Sequence, residues 1–283
     1  MGDADAHIVA KKRRARRIIR QVDHILIRSS DPEALFFFLT ESLHLPVAWP
    51  IASYGHFTSG GVGIGDVNVE VIQSHPSPGA APAEGSHASF SGIAFEPYPL
   101  ADSLTELAAR EIVHAAPAPY VASLPDGSQA TCWTTVDLPQ FSNHHQGIFL
   151  CEYSPSFLNV ASNRERLKAE LLSKQNGALG ILAVQEITLG ARNLADQTRR
   201  WQNLLRPIQP TAKEVWQVGN GPALRFVAAP EDQIQGLVLT TVSLKRAKAF
   251  LEEHGMLGTV TDNEIVIDPS NIQGLQMRLA DRA

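Results

Sequence analysis

The sequence is poor in cysteine, in net charge and in long apolar runs. Its 283 residues include only two cysteines, Cys132 and Cys151, too few for a disulfide framework, which favours a reducing compartment. No apolar run approaches the roughly 20 residues that a membrane helix needs. A formal net charge of -5 gives no basic footprint for nucleic acid over the body of the chain. We therefore expect a cytoplasmic protein that binds neither nucleic acid nor a membrane.

Two groups of catalytic or binding motifs are also missing. No nucleophile elbow with a Ser-His-Asp order occurs, which disfavours a serine hydrolase. Glycines stand at positions 60, 61, 63 and 65, but the alternating stretch "VNVEVI" follows them. A phosphate loop needs its glycines to open a helix, whose N-terminus faces the phosphate. The next element is predicted to be a strand, so these glycines do not indicate nucleotide binding.

A globular core and a basic start of the chain are present. Hydrophobic residues make up 44% of the sequence, enough to bury one large domain or two of ordinary size. The cluster "KKRRARRIIR" comes before any strand pattern. Because no apolar core follows it, it does not indicate a secretory signal. We predict a solvated basic tail over residues 1–20.

A strand-helix-strands pattern occurs four times along the chain. In the first copy the strand "VDHILIR" precedes Asp31-Pro32, an N-cap pair that opens a helix. A Pro-, Ala- and Gly-rich linker, 74–87, separates the first copy from the second. A single βαβββ module has an open sheet with one apolar face, so two modules must pair to cover it. We predict an α+β fold with four βαβββ modules paired into two domains, 21–160 and 179–283, joined by a helical connection over 161–178.

Four stretches of the first half carry a family resemblance. "DHILIRSSDPEAL", "NVEVI", "LPDGSQATCWTTVDLP" and "GIFLCEY" resemble the vicinal oxygen chelate superfamily, which includes glyoxalase I, the bleomycin and fosfomycin resistance proteins and the extradiol ring-cleaving dioxygenases. The resemblance is greatest to its glyoxalase-like subgroup and extends from Val22 onward. It implies two glyoxalase-like domains, of which the second matches in pattern rather than in motif and is degenerate.

The resemblance also implies a metal site. In this superfamily the ligands lie on the first and last strands of paired modules, and the matching positions are His24, Glu70 and Glu152. The fourth matching position is Gly92, which cannot be a ligand. One imidazole and two carboxylates suit a divalent Mn, Fe or Zn ion. The residues alone leave open a core-facing histidine with two half-buried carboxylates at strand ends.

Two further histidines are candidate acid/base residues. His56 lies in the family-like segment "GHFTSGG", and His145 precedes the strand that carries Glu152. Either could transfer a proton near neutral pH. A strand histidine with a satisfied hydrogen bond, for His56, and an ordinary polar loop, for His145, remain open as alternatives.

The second half offers no comparable ligand set. Its matching positions are Glu186 and Arg225 in the third module, which we interpret as an ion pair, and Gly236 and Gln276 in the fourth. By resemblance, an extradiol dioxygenase would need two histidines and a glutamate here, so that activity ranks low.

The expected function is that of a metal-dependent enzyme of the vicinal oxygen chelate type. Its substrate would be a small organic molecule, aromatic or dicarbonyl, whose enolate or oxyanion the ion stabilises, as in a lyase, an isomerase or an oxygenase. The alternative is a metal-free protein that binds or sequesters a small molecule. A homodimer is left open.

Overall fold

The structure is a computed structural model, and it describes residues 15–75, 87–123 and 127–282. Within these residues it contains two mixed β-sheets and five α-helices, which confirms the predicted α+β class. Most of the predicted basic tail and of the linker 74–87 lies outside the described residues. The first strand begins at Ile19, before the predicted end of the tail.

Eight strands and two helices form the first half of the fold. In chain order the strands are β1 Ile19–Ser29, β2 Val47–Ser53, β3 Phe57–Ile64, β4 Val67–Ser74, β5 Ala88–Pro97, β6 Ala118–Ser123, β7 Gln129–Asp137 and β8 Gly147–Tyr153. Helix α1, Pro32–Phe37, follows β1 and continues as a π-helical turn over Phe38–Ser42, and helix α2, Leu100–Ala109, follows β5. The order across the sheet is β2-β3-β4-β1-β5-β8-β7-β6. Each half of this sheet is one βαβββ module, and the modules join where β1 and β5 pair antiparallel.

Helix α3, Val160–Ser173, leads to the second sheet. Its seven strands are β9 Ile181–Ala191, β10 Val215–Gln217, β11 Ala223–Ala228, β12 Gln233–Thr241, β13 Leu257–Val260, β14 Glu264–Ile267 and β15 Met277–Asp281. Helix α4, Leu194–Leu205, follows β9, helix α5, Leu244–Glu253, follows β12, and a 3-10 turn spans Pro269–Ile272. The order is β10-β11-β9-β12-β15-β14-β13. Over residues 127–282 the third module therefore has two strands after its helix, one fewer than predicted.

Gly60, Gly61 and Gly63 belong to strand β3, Gly65 lies in the turn after it, and the next element is strand β4, as the sequence predicts. The glycines of β3 allow close packing. A Cβ atom added at Gly61 would lie 2.5 Å from the ring of Trp49, and one at Gly63 would lie 3.0 Å from Cβ of Leu167 in α3. Their absent side chains thus make room for an indole and a helix.

The start of helix α1 confirms the predicted N-cap. The Asp31 carboxylate accepts a hydrogen bond from the backbone N–H of Ala34 at 3.1 Å, and Pro32 occupies the first helical turn. The helix buries Leu35 and Phe36 against the first sheet. None of the helices in the described parts of the chain is long and apolar enough to cross a membrane.

The two sheets pack against each other around Trp201 of α4. Its indole lies 6.0 Å from the ring of Phe95 in the first sheet and 5.3 Å from that of Phe226 in the second. Arg110, just after α2, donates to the carbonyl oxygens of Asn203 and Leu204 at 2.8 and 2.9 Å. The buried interface between the two sheets, which we call the seam, therefore contains an aromatic cluster and the Arg110 guanidinium. This guanidinium joins the end of α2 to the end of α4.

Candidate functional site

The candidate site lies on the face of the first sheet that carries His24, which we call the inner face. Strand β1 is irregular at this point, with a register shift against β5 between Val22 and His24. Side chains normally alternate between the faces of a strand, and a bulge interrupts that alternation. Consecutive side chains, Asp23 and His24, consequently meet on the inner face.

The imidazole of His24 lies between two carboxylates. Its Nδ1 is 2.7 Å from Oδ2 of Asp23, and its Nε2 is 3.3 Å from Oε2 of Glu70. Burial alone would lower the pKa of His24. The hydrogen bond to Asp23 and the negative charges of Asp23 and Glu70 outweigh it, so the pKa of His24 is raised above its usual value. The charged imidazolium, with Nδ1 bonded to Asp23 and Nε2 facing the Glu70 carboxylate, is the form that this environment favours.

Asp23 is the most deeply buried member of this group. Its Oδ2 also accepts from the hydroxyl of Tyr153 at 3.1 Å, and its Oδ1 accepts from Arg164 at 2.8 Å. Burial raises the pKa of Asp23. The hydrogen bond and charge of His24 and the charge of Arg164 together lower it by more, so the pKa of Asp23 lies below its usual value. Asp23 is thus held as an anion and anchors the imidazolium.

Glu70 has its own supporting contacts on the other side of the imidazole. Its Oε1 accepts from the Ser59 hydroxyl at 2.5 Å, and that hydroxyl accepts from the indole N–H of Trp49 at 3.1 Å. A continuous polar line, which we call the relay, therefore runs from Trp49 through Ser59, Glu70, His24 and Asp23 to Arg164.

Aromatic side chains flank the relay. The rings of Trp49 and Phe149 approach the His24 ring edge-on, with centroids 6.4 and 5.8 Å away. Farther out, Tyr120 and Trp133 stack with centroids 4.1 Å apart and an interplanar angle of 5°. Trp133 is the register partner of Tyr153 and Tyr120 is that of Trp133, so these rings share the inner face. The inner face is a polar line between aromatic walls.

Glu152 does not join this group. Its Oε1 accepts from the backbone N–H of Leu100 at 2.8 Å, at the start of α2. Its neighbours Cys151 and Tyr153 face His24 and Asp23, because Tyr153 bonds to Asp23 and the charge of Asp23 acts on Cys151. By strand alternation Glu152 points to the opposite face, where it accepts a hydrogen bond at the start of α2. Its role as a metal ligand stays a prediction.

The two predicted acid/base histidines also lie away from the relay. His56 is exposed in the β2–β3 loop, where its carbonyl accepts from the N–H of His75. His145 lies in the loop before β8, with its backbone N–H bonded to Asn143 and its ring against that of His144. The contacts of the described residues do not connect either side chain with His24. Their catalytic roles stay predictions.

Of the three predicted metal ligands, the structure brings together two, His24 and Glu70. Among residues 15–75, 87–123 and 127–282, no group of three or more His, Cys, Asp or Glu side chains is placed to hold a metal ion. Gly92, which stands at the fourth position implied by the resemblance, has no room for a side chain, since an added Cβ would lie 2.7 Å from the carbonyl oxygen of Gly147. Protein-held zinc sites use three or four side chains. The residues on the inner face do not fit such a site.

In the second sheet the predicted ion pair is confirmed. Nε of Arg225 lies 2.6 Å from Oε2 of Glu186, and Arg278 approaches the same carboxylate at 4.0 Å. The Glu186 oxygens are further engaged by Thr188 at 3.2 Å. The charge of the Glu186 carboxylate is therefore balanced by arginines of the same sheet.

Comparison with solved structures identifies the fold. A hypothetical protein from Staphylococcus aureus matches with a TM-score of 0.61 and 10% identity, over 92% of this chain and 99% of that one. A variant of 4-hydroxymandelate synthase from Streptomyces coelicolor matches with a TM-score of 0.59 and 12% identity, over 94% and 93%. The 2,3-dioxygenase LapB from Pseudomonas sp. KL28 matches with a TM-score of 0.57 and 13% identity, also over 94% and 93%. The chain has the vicinal oxygen chelate fold. No family model and no curated protein matches the sequence.

The sequence analysis named His24 and Glu70, which the structure brings together, but not all of the side chains around them. Asp23, Ser59 and Arg164 belong to the relay, and sequence reasoning missed all three. Asp23 directly precedes His24 in "VDHIL". Neighbouring strand residues normally face opposite sides of a sheet, so the sequence did not predict that Asp23 lies beside the imidazole. Arg164 stands in a polar helix with no motif of its own. At these low identities the similarity extends to the fold alone.

Proposed function

We propose that the inner face binds a small planar organic molecule and that Glu70, backed by His24, exchanges a proton with it. The observation that supports this proposal is the relay, a buried imidazole held at both nitrogens by carboxylates between aromatic walls. The ligand class is a molecule with an acidic proton, such as a phenol, an enol or a carbonyl compound with an acidic α C–H. The proton would pass to a Glu70 oxygen and return from it.

Glu70 is the member of the carboxylate-imidazole-carboxylate group best placed to meet a ligand. Its side chain is 14% exposed, against 7% for His24 and 2% for Asp23. One of its oxygens accepts a hydrogen bond from Ser59, and the other lies 3.3 Å from Nε2 of His24 as an ion-pair partner. A carboxylate has about four lone-pair sites, so acceptor capacity remains for a ligand.

The supporting residues have separate tasks in this proposal. Ser59 and Trp49 fix the orientation of the Glu70 carboxylate, and the positive His24 stabilises its negative charge. Aromatic walls exclude water and favour a flat ligand, because stacked or edge-on aromatic contacts contribute about 0.5–1.5 kcal/mol beyond area burial. A positioned general base contributes roughly 10²–10⁴-fold to a proton transfer.

A metal-dependent enzyme is the second candidate, and one observation favours it. Asp23 holds Nδ1 of His24 while Nε2 points toward Glu70, which is the orientation of a metal-ligating imidazole with a carboxylate behind it. Binding would require loss of the Nε2 proton. The remaining ligands would then come from solvent or substrate, because Glu152 bonds to the Leu100 N–H in this structure and Gly92 has no side chain.

Proton exchange in D2O tests the proposal directly. Cyclic 1,3-diketones and aryl pyruvates would be incubated with EDTA-treated protein, and loss of the acidic C–H signal would be followed by NMR. We expect wild-type protein to accelerate exchange and Glu70→Gln to lose about 10²–10⁴-fold. Glu165→Gln, on exposed α3 surface with a side chain 74% exposed, is the matched control and should exchange like wild type.

Binding provides a second, independent measurement. Planar phenols would be titrated against their O-methyl ethers by calorimetry, and wild type should prefer the phenol while Glu70→Gln should not. Equal affinity for both series, together with no exchange, would overturn the proposal. Exchange or binding that appears only after Mn²⁺, Fe²⁺ or Zn²⁺ is restored would instead select the metal-dependent candidate.

A further inference from the structure

We propose that Arg164, which lies on helix α3 outside both sheets, is a positioning residue of the relay. It fixes Asp23, and Asp23 in turn orients the His24 imidazole toward Glu70. The activity test of this inference rests on the proposed function. The structural test, which follows the His24 ring, does not depend on it. Nothing in the sequence pattern of α3 distinguishes Arg164 from its other charged residues.

Helix α3 is anchored across the inner face. Its N-cap, Asn159, accepts from the backbone N–H of Ser162 at 3.0 Å. Leu167 packs where Gly63 leaves room in β3, and Lys168 forms an ion pair with Asp66 at 2.5 Å. The helix therefore delivers Arg164 from a fixed direction rather than from a mobile surface.

The guanidinium spans two carboxylates. Nη2 of Arg164 donates to Oδ1 of Asp23 at 2.8 Å, and Nη1 donates to Oε2 of Glu96 at 2.6 Å. The side chain is 11% exposed. The amide of Gln21, in the orientation that satisfies its neighbours, also accepts from the guanidinium. Planar guanidinium groups hold such forks with little residual freedom.

The two carboxylate oxygens of Asp23 bind different partners. Oδ1 is committed to Arg164, which leaves Oδ2 for His24 and Tyr153. Without the guanidinium the carboxylate can rotate, and the imidazole loses its fixed partner on Nδ1. Glu96 keeps a second cation, Arg20, at 3.2 Å, so loss of Arg164 acts mainly on Asp23.

A purely structural role has to be separated from positioning. Removing Arg164 leaves a buried anion without its cation, which lowers stability whether or not His24 is oriented by it. A double variant, Asp23→Asn with Arg164→Met, removes both charges and should recover most of the stability. It does not restore a carboxylate to Nδ1 of His24. Stability and site function are therefore expected to respond differently.

The experiment compares Arg164→Met, Arg164→Lys, the double variant and Arg166→Met in the full chain. Arg166 lies on the same helix, is 51% exposed and pairs with Glu170 at 3.3 Å, so its variant is the matched control. The readouts are the free energy of unfolding, D2O exchange of a cyclic 1,3-diketone and the ¹⁵N shifts of the His24 ring. Arg164→Lys retains one donor to Asp23 and keeps the test available if Arg164→Met does not fold.

We expect Arg164→Met to lower exchange by about 10- to 100-fold, the range seen when an outer hydrogen-bond partner of a metal-ligating residue is removed. It should also shift the His24 Nδ1 resonance. Arg166→Met should change neither, and the double variant should regain stability without regaining exchange. Wild-type exchange and ¹⁵N shifts in Arg164→Met, or in Arg164→Lys if the former does not fold, would overturn the inference. If wild type shows no exchange, the proposed function fails, and unchanged His24 shifts would then be the separate result that refutes the positioning role.

Discussion

Replacing Gly61 by alanine is a direct test of how the site is packed. The ideal Cβ atom at this position would lie 2.5 Å from three ring atoms of Trp49, closer than real contacts allow. The backbone at Gly61 is not in the left-handed region, so alanine adds steric overlap without backbone strain. The indole has to move, and its hydrogen bond to Ser59, 3.1 Å long, has to break or lengthen.

The expected loss of stability is moderate. Overpacking of a well-packed site costs about 1–3 kcal/mol, and a lost hydrogen bond adds roughly 0.5–1.5 kcal/mol. Trp49 is only half-buried and can swing outward, which relieves part of the overlap. We therefore expect Gly61→Ala to lower the free energy of unfolding by about 1–3 kcal/mol in total.

Urea unfolding followed by circular dichroism measures this loss, and the fluorescence of native protein reports the movement of the indole. Gly147→Ala is the matched control, because it also lies in a strand of the first sheet and its added Cβ would have no neighbour closer than 3.9 Å. It should be neutral or stabilising by about 0.4–1 kcal/mol, since alanine restricts the unfolded chain. Wild-type stability and fluorescence in Gly61→Ala would refute the packing argument.

Three further predictions concern the cap, the seam and the imidazolium. Glu152→Ala should lower the free energy of unfolding by about 0.5–2 kcal/mol through loss of the acceptor for the Leu100 N–H, with D2O exchange unchanged; lost exchange at native stability would return Glu152 to the site. Arg110→Met, at a side chain with 0% exposure, should cost about 3–5 kcal/mol, whereas Arg166→Met should stay within about 1 kcal/mol; equal losses in urea unfolding would contradict this difference. His24 has a folded pKa above its usual 6.5, so its stabilisation is complete below that pH and is lost as pH rises through the folded pKa. Wild type should therefore lose stability relative to His24→Asn above pH 6.5, and a constant difference between pH 5.5 and 9 would rule out a charged imidazole.

The repeated pattern was sufficient to predict most of the architecture. Alternating apolar runs predicted the strands, and the Asp31-Pro32 cap predicted where α1 begins, because both depend on local physics. The missing strand of the third module has a local cause as well. Pro207 and Pro210 stand in the segment after α4, and proline cannot donate to a sheet ladder.

The composition of the site could not be predicted in the same way. Asp23 reaches the inner face through a register shift that depends on pairing with β5, a strand more than 60 residues away. Arg164 reaches Asp23 across 141 positions of sequence. Such contacts follow from tertiary packing, and no period of hydrophobicity encodes them.

A change of one residue in strand register decides which chemistry this sheet can support. Where β1 carries its irregularity, an extra carboxylate reaches the inner face and occupies Nδ1 of His24. Where β8 pairs regularly with β7, alternation sends Glu152 to the helix side, and Cys151 takes the inner-face position. Two of the predicted ligand positions, His24 and Glu70, thus lie in the relay, in which Glu70 is the partly exposed carboxylate. Because both effects act through face selection, a single inserted or deleted residue in either strand would change the donor set more than most substitutions could.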